Sequence, residues 1–219
     1  MVEDNLKRIF KELPPGVKLV AVSKFHPAQD IIEAYSAGQR RFGENRPQEF
    51  AAKVPVLPAD IEWHFIGHLQ TNKLKFVLPF ASMVESIDSL RLLEAVEKWG
   101  SEHGKVIDVL LELHLGAEET KGGFTEEEIS DILCPARRAS FQHVRFRGLM
   151  GMATNTDDVS VVEADFARIE AFKKRLDSVF VLPDFTELSI GMSHDWPLAV
   201  RHGATIVRIG TAIFGPRVY

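Results

Sequence analysis

Val17-Lys-Leu-Val-Ala-Val-Ser-Lys24 is the stretch on which the reading of this chain turns. Leu19 to Val22 are apolar without a break, the pattern of a parallel strand covered on both faces rather than one with a wet side. Lys24 closes that run. Phe25-His26-Pro27 then separate it from a helical pattern. A lysine ending a core strand is either led out to solvent or held where its amine is used.

Outward from this strand the chain alternates. An amphipathic helix over 3–13, with Leu6, Ile9, Phe10 and Leu13 on one stripe, precedes it and is stopped by Pro14-Pro15-Gly16. A helix over about 28–37 follows, with Ile31, Ile32 and Tyr35 inward and Gly38 as its stop. Further strands are expected at 40–43, 62–66, 83–85, 106–115, 144–150, 186–190 and 205–209. Helical patterns lie between them: one opened by Pro47, then about 70–78, 89–99, one after the capping box Thr125–Glu128, 161–177, and 196–202 with Asp195 as its cap. Eight strands, each followed by a helical pattern or by the end of the chain, predict parallel strands with right-handed crossovers. The expected fold is α/β: a single-domain (β/α)8 TIM barrel over 1–219 with an extra N-terminal helix. The alternative, an open doubly wound sheet, lacks the Gly-x-Gly-x-x-Gly expected after its first strand.

Composition narrows the class. The 219 residues are 45% hydrophobic and 26% charged, with a net charge of -5, which gives no reason to expect nucleic acid as partner. The single cysteine, Cys134, read as a buried helix residue, fits a reducing cytoplasm. Neither a signal peptide nor an apolar run of roughly 18–20 residues is present, so a cytoplasmic, membrane-free protein is expected.

In such barrels chemistry sits at the C-terminal strand ends. Those ends carry Ser23-Lys24, Glu44-Asn45, His64 to Gly67, Glu85-Ser86, His114, Met150 to Met152, Gly191 to Ser193, and Gly210-Thr211. The last two pairs suit a phosphate. Glycine lets the backbone approach, amides point at the anion, and Ser193 and Thr211 offer hydroxyls. Arg208 shares a strand face with Ile206 and Gly210, so its guanidinium needs a partner there: a carboxylate such as Glu85, or a ligand. A Lys24 amine desolvated beside Arg208 would have a lowered pKa, as imine formation requires. Of Met150 and Met152, one is expected to face the interior. Ser193-His194-Asp195 has the residue types of a hydrolase triad, but adjacent residues cannot form its geometry. His64 and His68, four apart, have a metal spacing that the strand and Gly67 between them argue against, and no metal site is expected.

The motifs Ala21-Val-Ser-Lys24, Phe42-Gly-Glu-Asn45, Trp63-His-Phe-Ile-Gly-His-Leu-Gln-Thr-Asn-Lys73, Gly148-Leu-Met-Gly-Met152, Leu188-Ser-Ile-Gly-Met-Ser193 and Val207-Arg-Ile-Gly-Thr-Ala-Ile-Phe-Gly215 together resemble the pyridoxal phosphate homeostasis proteins. They span nearly the whole chain in order. The resemblance implies a barrel of the alanine racemase N-terminal type that binds pyridoxal 5′-phosphate. It implies an internal aldimine on Lys24, phosphate contacts from Ser193, Gly210 and Thr211, and Arg208 facing the pyridine nitrogen, with Asn45, His64 and Met150 around the ring. An arginine there disfavours protonation of the ring and makes it a poorer electron sink. Alanine racemases also draw a tyrosine base from a second domain. This chain ends at Tyr219, about ten residues past its last strand, and Tyr35 reads as helix core. The expectation is therefore a monomeric cofactor-binding protein of vitamin B6 homeostasis, with PLP-dependent apo-enzymes as further partners and no turnover of its own. The alternatives are a small racemase or decarboxylase, or a cofactor-free Schiff-base aldolase.

Overall fold

A computed structural model describes residues 1–116 and 122–216. Tyr219 lies outside them. Eight parallel strands close into a barrel in chain order: β1 (Lys18–Val22), β2 (Arg41–Glu44), β3 (Glu62–Phe65), β4 (Met83–Ile87), β5 (Ile107–Leu113), β6 (Val144–Gly151), β7 (Glu187–Ser189) and β8 (Ile206–Ile209). Closure is made by β1 against β8, with Lys18 opposite Ile206 and Ala21 opposite Ile209.

Helix α1 (Val2–Glu12) stands before the barrel. Around it run α2 (Ala28–Ser36), α3 (Pro47–Lys53), α4 (Leu74–Val77), α5 (Leu90–His103), α6 (Glu126–Leu133), α7 (Pro135–Arg138), α8 (Val159–Val179), α9 (Trp196–Arg201) and α10 (Thr211–Phe214). Their starts follow local chemistry. Pro47 occupies the first turn of α3, where no amide is needed. Thr125 and Glu128 cap α6 reciprocally, at 3.2 and 2.8 Å. Ser89 caps α5, and Gly104 ends it in the left-handed region at φ 59°.

Alternate strand residues face the helices and build the main core; the others fill the barrel. The barrel filling is layered. Lys18 and Glu187 pair at 2.5 Å at the N-terminal end. Val20, Met83, Leu110, Met150 and Ile206 form a separate apolar plug above them. Above the plug lie the buried polar side chains His64, Glu85, Ser189 and Arg208. This stacking carries the C-terminal end of the barrel on a rigid floor.

Some expectations are corrected. The helix expected over 70–78 is a 3-10 turn, Thr71–Lys73, followed by the single turn α4. Cys134 is half-buried at the junction of α6 and α7, where Pro135 cannot continue the first helix, so it is not a buried helix residue. Phe10 and Ile32 are exposed, and the half-buried Tyr35 donates its hydroxyl to Asp60 at 2.7 Å. Asp195 sits at the N-cap of α9 without a side-chain cap bond and accepts from the Met192 amide instead. Helices α7 and α10 have no counterpart in the sequence reading; at one turn each they are too short for periodicity to register.

Candidate functional site

A cavity of about 240 Å³ opens at the C-terminal end of the barrel. Lys24, Asn45, Ser193, Arg208, Gly210 and Thr211, all expected to hold a ligand, line it. Val22, His26, Ile66, Met152, Met192 and His194 complete the wall. Wider grooves occur at the opposite face, one of about 400 Å³ between Arg138, Phe146 and Leu182. What sets the smaller cavity apart is its donor set: an amine, a guanidinium and two hydroxyls set among the apolar side chains of Val22, Ile66 and Met152.

Arg208 is held more tightly than a surface arginine. One guanidinium nitrogen donates to the Ser189 carbonyl at 2.7 Å and to the Ser189 hydroxyl oxygen at 2.5 Å; the other donates to the Gly151 carbonyl at 2.9 Å. The Ser189 hydroxyl in turn donates to Glu85 Oε2 at 2.5 Å, and Glu85 lies 3.8 Å from the guanidinium. His64 Nδ1 meets Glu85 Oε1 at 2.5 Å; an ionised oxygen only accepts, so this nitrogen carries the proton. Burial pushes the Glu85 carboxyl up, but His64, Arg208 and Ser189 outweigh it and hold it below the usual carboxylate range. Burial likewise lowers Arg208, against the charges of Glu85, Glu112 and Asp195. The two readings of Arg208 thus coexist: it has its carboxylate, and it still lines the cavity.

The far corner is built by β7 and β8. Ser193 Oγ accepts from the Gly210 amide at 3.3 Å. The turn before α9 needs glycine at 191, where φ is +93° and a Cβ would stand 2.6 Å from that of Ala199. Thr211 opens α10, where the first amides have no intrahelical acceptors. On the opposite side, Asn45 Oδ1 is buried without a hydrogen-bond partner among the described residues.

His64 and Met150 do not line the cavity. His64 is committed to Glu85 one layer below, and Met150 is part of the apolar plug. Met152 packs on that plug and reaches the wall, so both methionines face inward; residues two apart on a strand share a face. His26 was missed although it follows Lys24 by two positions; it stacks on Phe214 at 4.8 Å and meets Asp30 at 3.1 Å. Among the described residues no group of three or more metal-ligating side chains converges, and no helix is long and apolar enough to cross a membrane.

Glu112 supplies a titration beside the site. Burial first, then the Asp88 charge, push its carboxyl up to about 7, against the pull of Arg208 and His68. Because the folded value lies above the ordinary 4.5, this group costs stability progressively as pH rises between the two values. Glu112→Gln is expected to gain on the wild type by roughly 2–3 kcal/mol between pH 5 and pH 8. Urea unfolding at the two pH values measures it, and an unchanged difference would refute the buried-acid assignment.

Fold and site together define a barrel of the alanine racemase type: the family described as "Alanine racemase, N-terminal domain" matches residues 1–218. Curated relatives narrow this. The pyridoxal phosphate homeostasis protein of Aquifex aeolicus is 38% identical over 205 residues, 92% of this chain and 88% of that one. Its namesake in Schizosaccharomyces pombe is 37% identical over 205 residues, 92% and 85% of the two chains. Among solved structures, PipY of Synechococcus elongatus, determined with PLP bound, superposes with a TM-score of 0.88 at 38% identity, covering 98% of this chain and all of that one. The chain belongs to the pyridoxal phosphate homeostasis protein family.

Proposed function

We propose that this protein binds pyridoxal 5′-phosphate through Lys24 and acts as a carrier in vitamin B6 homeostasis rather than as an enzyme. The observation that carries the reading is the convergence of Lys24, Ser193, Gly210, Thr211 and Arg208 on one cavity. The donor set fits a phosphorylated pyridine aldehyde. Ser193, Thr211 and the amides at the start of α10 suit the phosphate, and the orphaned Asn45 oxygen offers an acceptor toward a ring substituent. The bound cofactor supplies an aldehyde; the Lys24 amine forms a C=N bond to it, with loss of one water.

The rest of the site restrains chemistry. Arg208, buried and anchored on Ser189 and Gly151, presents a fixed positive charge that opposes protonation of a ring nitrogen nearby. The curated relatives bear a homeostasis name and the solved relative holds PLP, which supports a carrier. The reading extends to a cytoplasmic monomer that hands the cofactor to apo-enzymes.

The test is direct. Wild type mixed with pyridoxal 5′-phosphate is expected to gain a visible absorption band, and borohydride followed by mass analysis to place the label on Lys24. Lys24→Ala should lose both. A label on another lysine, or rapid Lys24-dependent racemisation of amino acids, would overturn the reading.

A further inference from the structure

Phe25 has φ +67°, the one positive value outside glycine among the described residues. It directly follows Lys24. The left-handed region crowds any side chain and is least suited to a bulky one. The His26 amide donates to the Ser23 carbonyl at 3.1 Å, so Lys24 and Phe25 occupy the two corners of a tight turn. A positive φ at the second corner is the pattern of a type II turn, whose ordinary residue there is glycine. The strain therefore has to be held from outside.

Helix α3 and its flanks hold it. The Phe25 amide donates to Glu49 Oε2 at 3.0 Å, and the Arg46 guanidinium lies 4.3 Å from the centre of the Phe25 ring. Lys53 Nζ donates to the Ser23 carbonyl at 2.9 Å and to Glu44 Oε1 at 2.7 Å, and reaches Glu49 Oε2 at 3.4 Å. The Ser23 hydroxyl donates to Glu44 Oε1 at 2.6 Å. Burial pushes the Glu49 carboxyl up, but the Phe25 amide and Lys53 outweigh it, keeping it ionised at neutral pH and its bond to the turn charge-assisted. Both chain neighbours of Lys24 are thus gripped by one cluster on α3 and the end of β2, while Lys24 lines the cavity. Strain of this kind persists where the surroundings over-determine it, and it gathers at functional sites.

We propose that Glu49 is a positioning residue for Lys24: its carboxylate, aligned by Lys53, holds Phe25 left-handed and so aims the lysine amine at the carbonyl carbon of a bound aldehyde. The inference rests on the cofactor reading above. It goes beyond it by assigning the aim of the amine to residues that do not line the cavity.

Two ligands separate aiming from folding. Pyridoxal 5′-phosphate needs the amine; pyridoxine 5′-phosphate, with an alcohol in place of the aldehyde, needs only the cavity. Glu49→Gln is expected to weaken capture of the aldehyde about tenfold while binding of the alcohol stays within about twofold. Adding Phe25→Gly, which takes the left-handed conformation freely, should restore most of the loss. Glu49→Asp keeps the charge but withdraws it by one methylene, and is expected to show a smaller loss, about threefold, with the same selectivity. Equal weakening of both ligands, or no weakening in either variant, overturns the positioning role. A wild type that forms no adduct at Lys24 instead sinks the cofactor reading, and this inference with it; that failure is visible before any variant is made.

Discussion

Glu85→Ala is expected to destabilise the protein by about 3–5 kcal/mol, the largest loss among single side-chain truncations at this site. Glu85 is fully buried and serves three partners: the His64 ring, the Ser189 hydroxyl and the Arg208 guanidinium. Removing it leaves a buried cation, 4% exposed, under the charges of Glu112 and Asp195 but without the carboxylate it pairs with. The cost comes from the partner left behind rather than from the pair's own worth, because desolvating both charges consumes most of their attraction. Replacing both residues together, Glu85→Leu with Arg208→Leu, is therefore expected to cost less than Glu85→Ala alone. Denaturant unfolding of the three proteins decides it; a double variant less stable than the single one would contradict the account. The pH dependence has a definite sign. The folded Glu85 carboxyl is held below its ordinary value, so its contribution is present above the unfolded pKa and fades as pH falls through the folded one.

Gly67→Ala is expected to cost roughly 3 kcal/mol or more and to weaken ligand capture with it. A Cβ at this position would stand 2.1 Å from the Asn45 carbonyl oxygen and 2.6 Å from its Cα. Both are backbone atoms and cannot swing aside. The neighbouring contacts are fixed as well: the Ile66 amide donates to the Glu44 carbonyl at 2.9 Å, and the Ser86 hydroxyl to the Gly67 carbonyl at 2.6 Å. The methyl group must pry the ends of β2 and β3 apart, which moves Asn45 and Ile66, both in the cavity wall. Gly104→Ala is the control. It has φ +59° but open space around a Cβ, so only the left-handed penalty of about 1–2 kcal/mol applies. If the two substitutions cost the same, close approach is not what Gly67 provides.

Much of this was legible in the chain. Short apolar runs and period-3.6 patterns located all eight strands and most of the helices, because parallel strands buried on both faces read as continuous apolar stretches. The C-terminal strand ends, narrowed by the resemblance to the pyridoxal phosphate homeostasis proteins, pointed to Lys24, Asn45, Ser193, Arg208, Gly210 and Thr211, and these six line one cavity. His64 and Met150 share the same strand ends and fail to reach it. The strands are staggered around the barrel, so residues at equivalent sequence positions fall in different layers. His64 lands beside Glu85 and Met150 beside Val20 and Leu110. Nothing in a linear pattern gives that stagger.

By itself the sequence determined the order and kind of the elements, the parallel closed sheet they make, and the end of it where reactive groups collect. Those follow from local propensity and from the spacing of apolar residues, which every short window carries. Only the tertiary structure decided what each reactive group rests on. Arg208 is anchored by residues 19 and 57 positions away, and the turn carrying Lys24 is strained at Phe25 and gripped from α3. Such contacts are set by register and by the packing of distant segments, so they exist only once the ring of strands is closed.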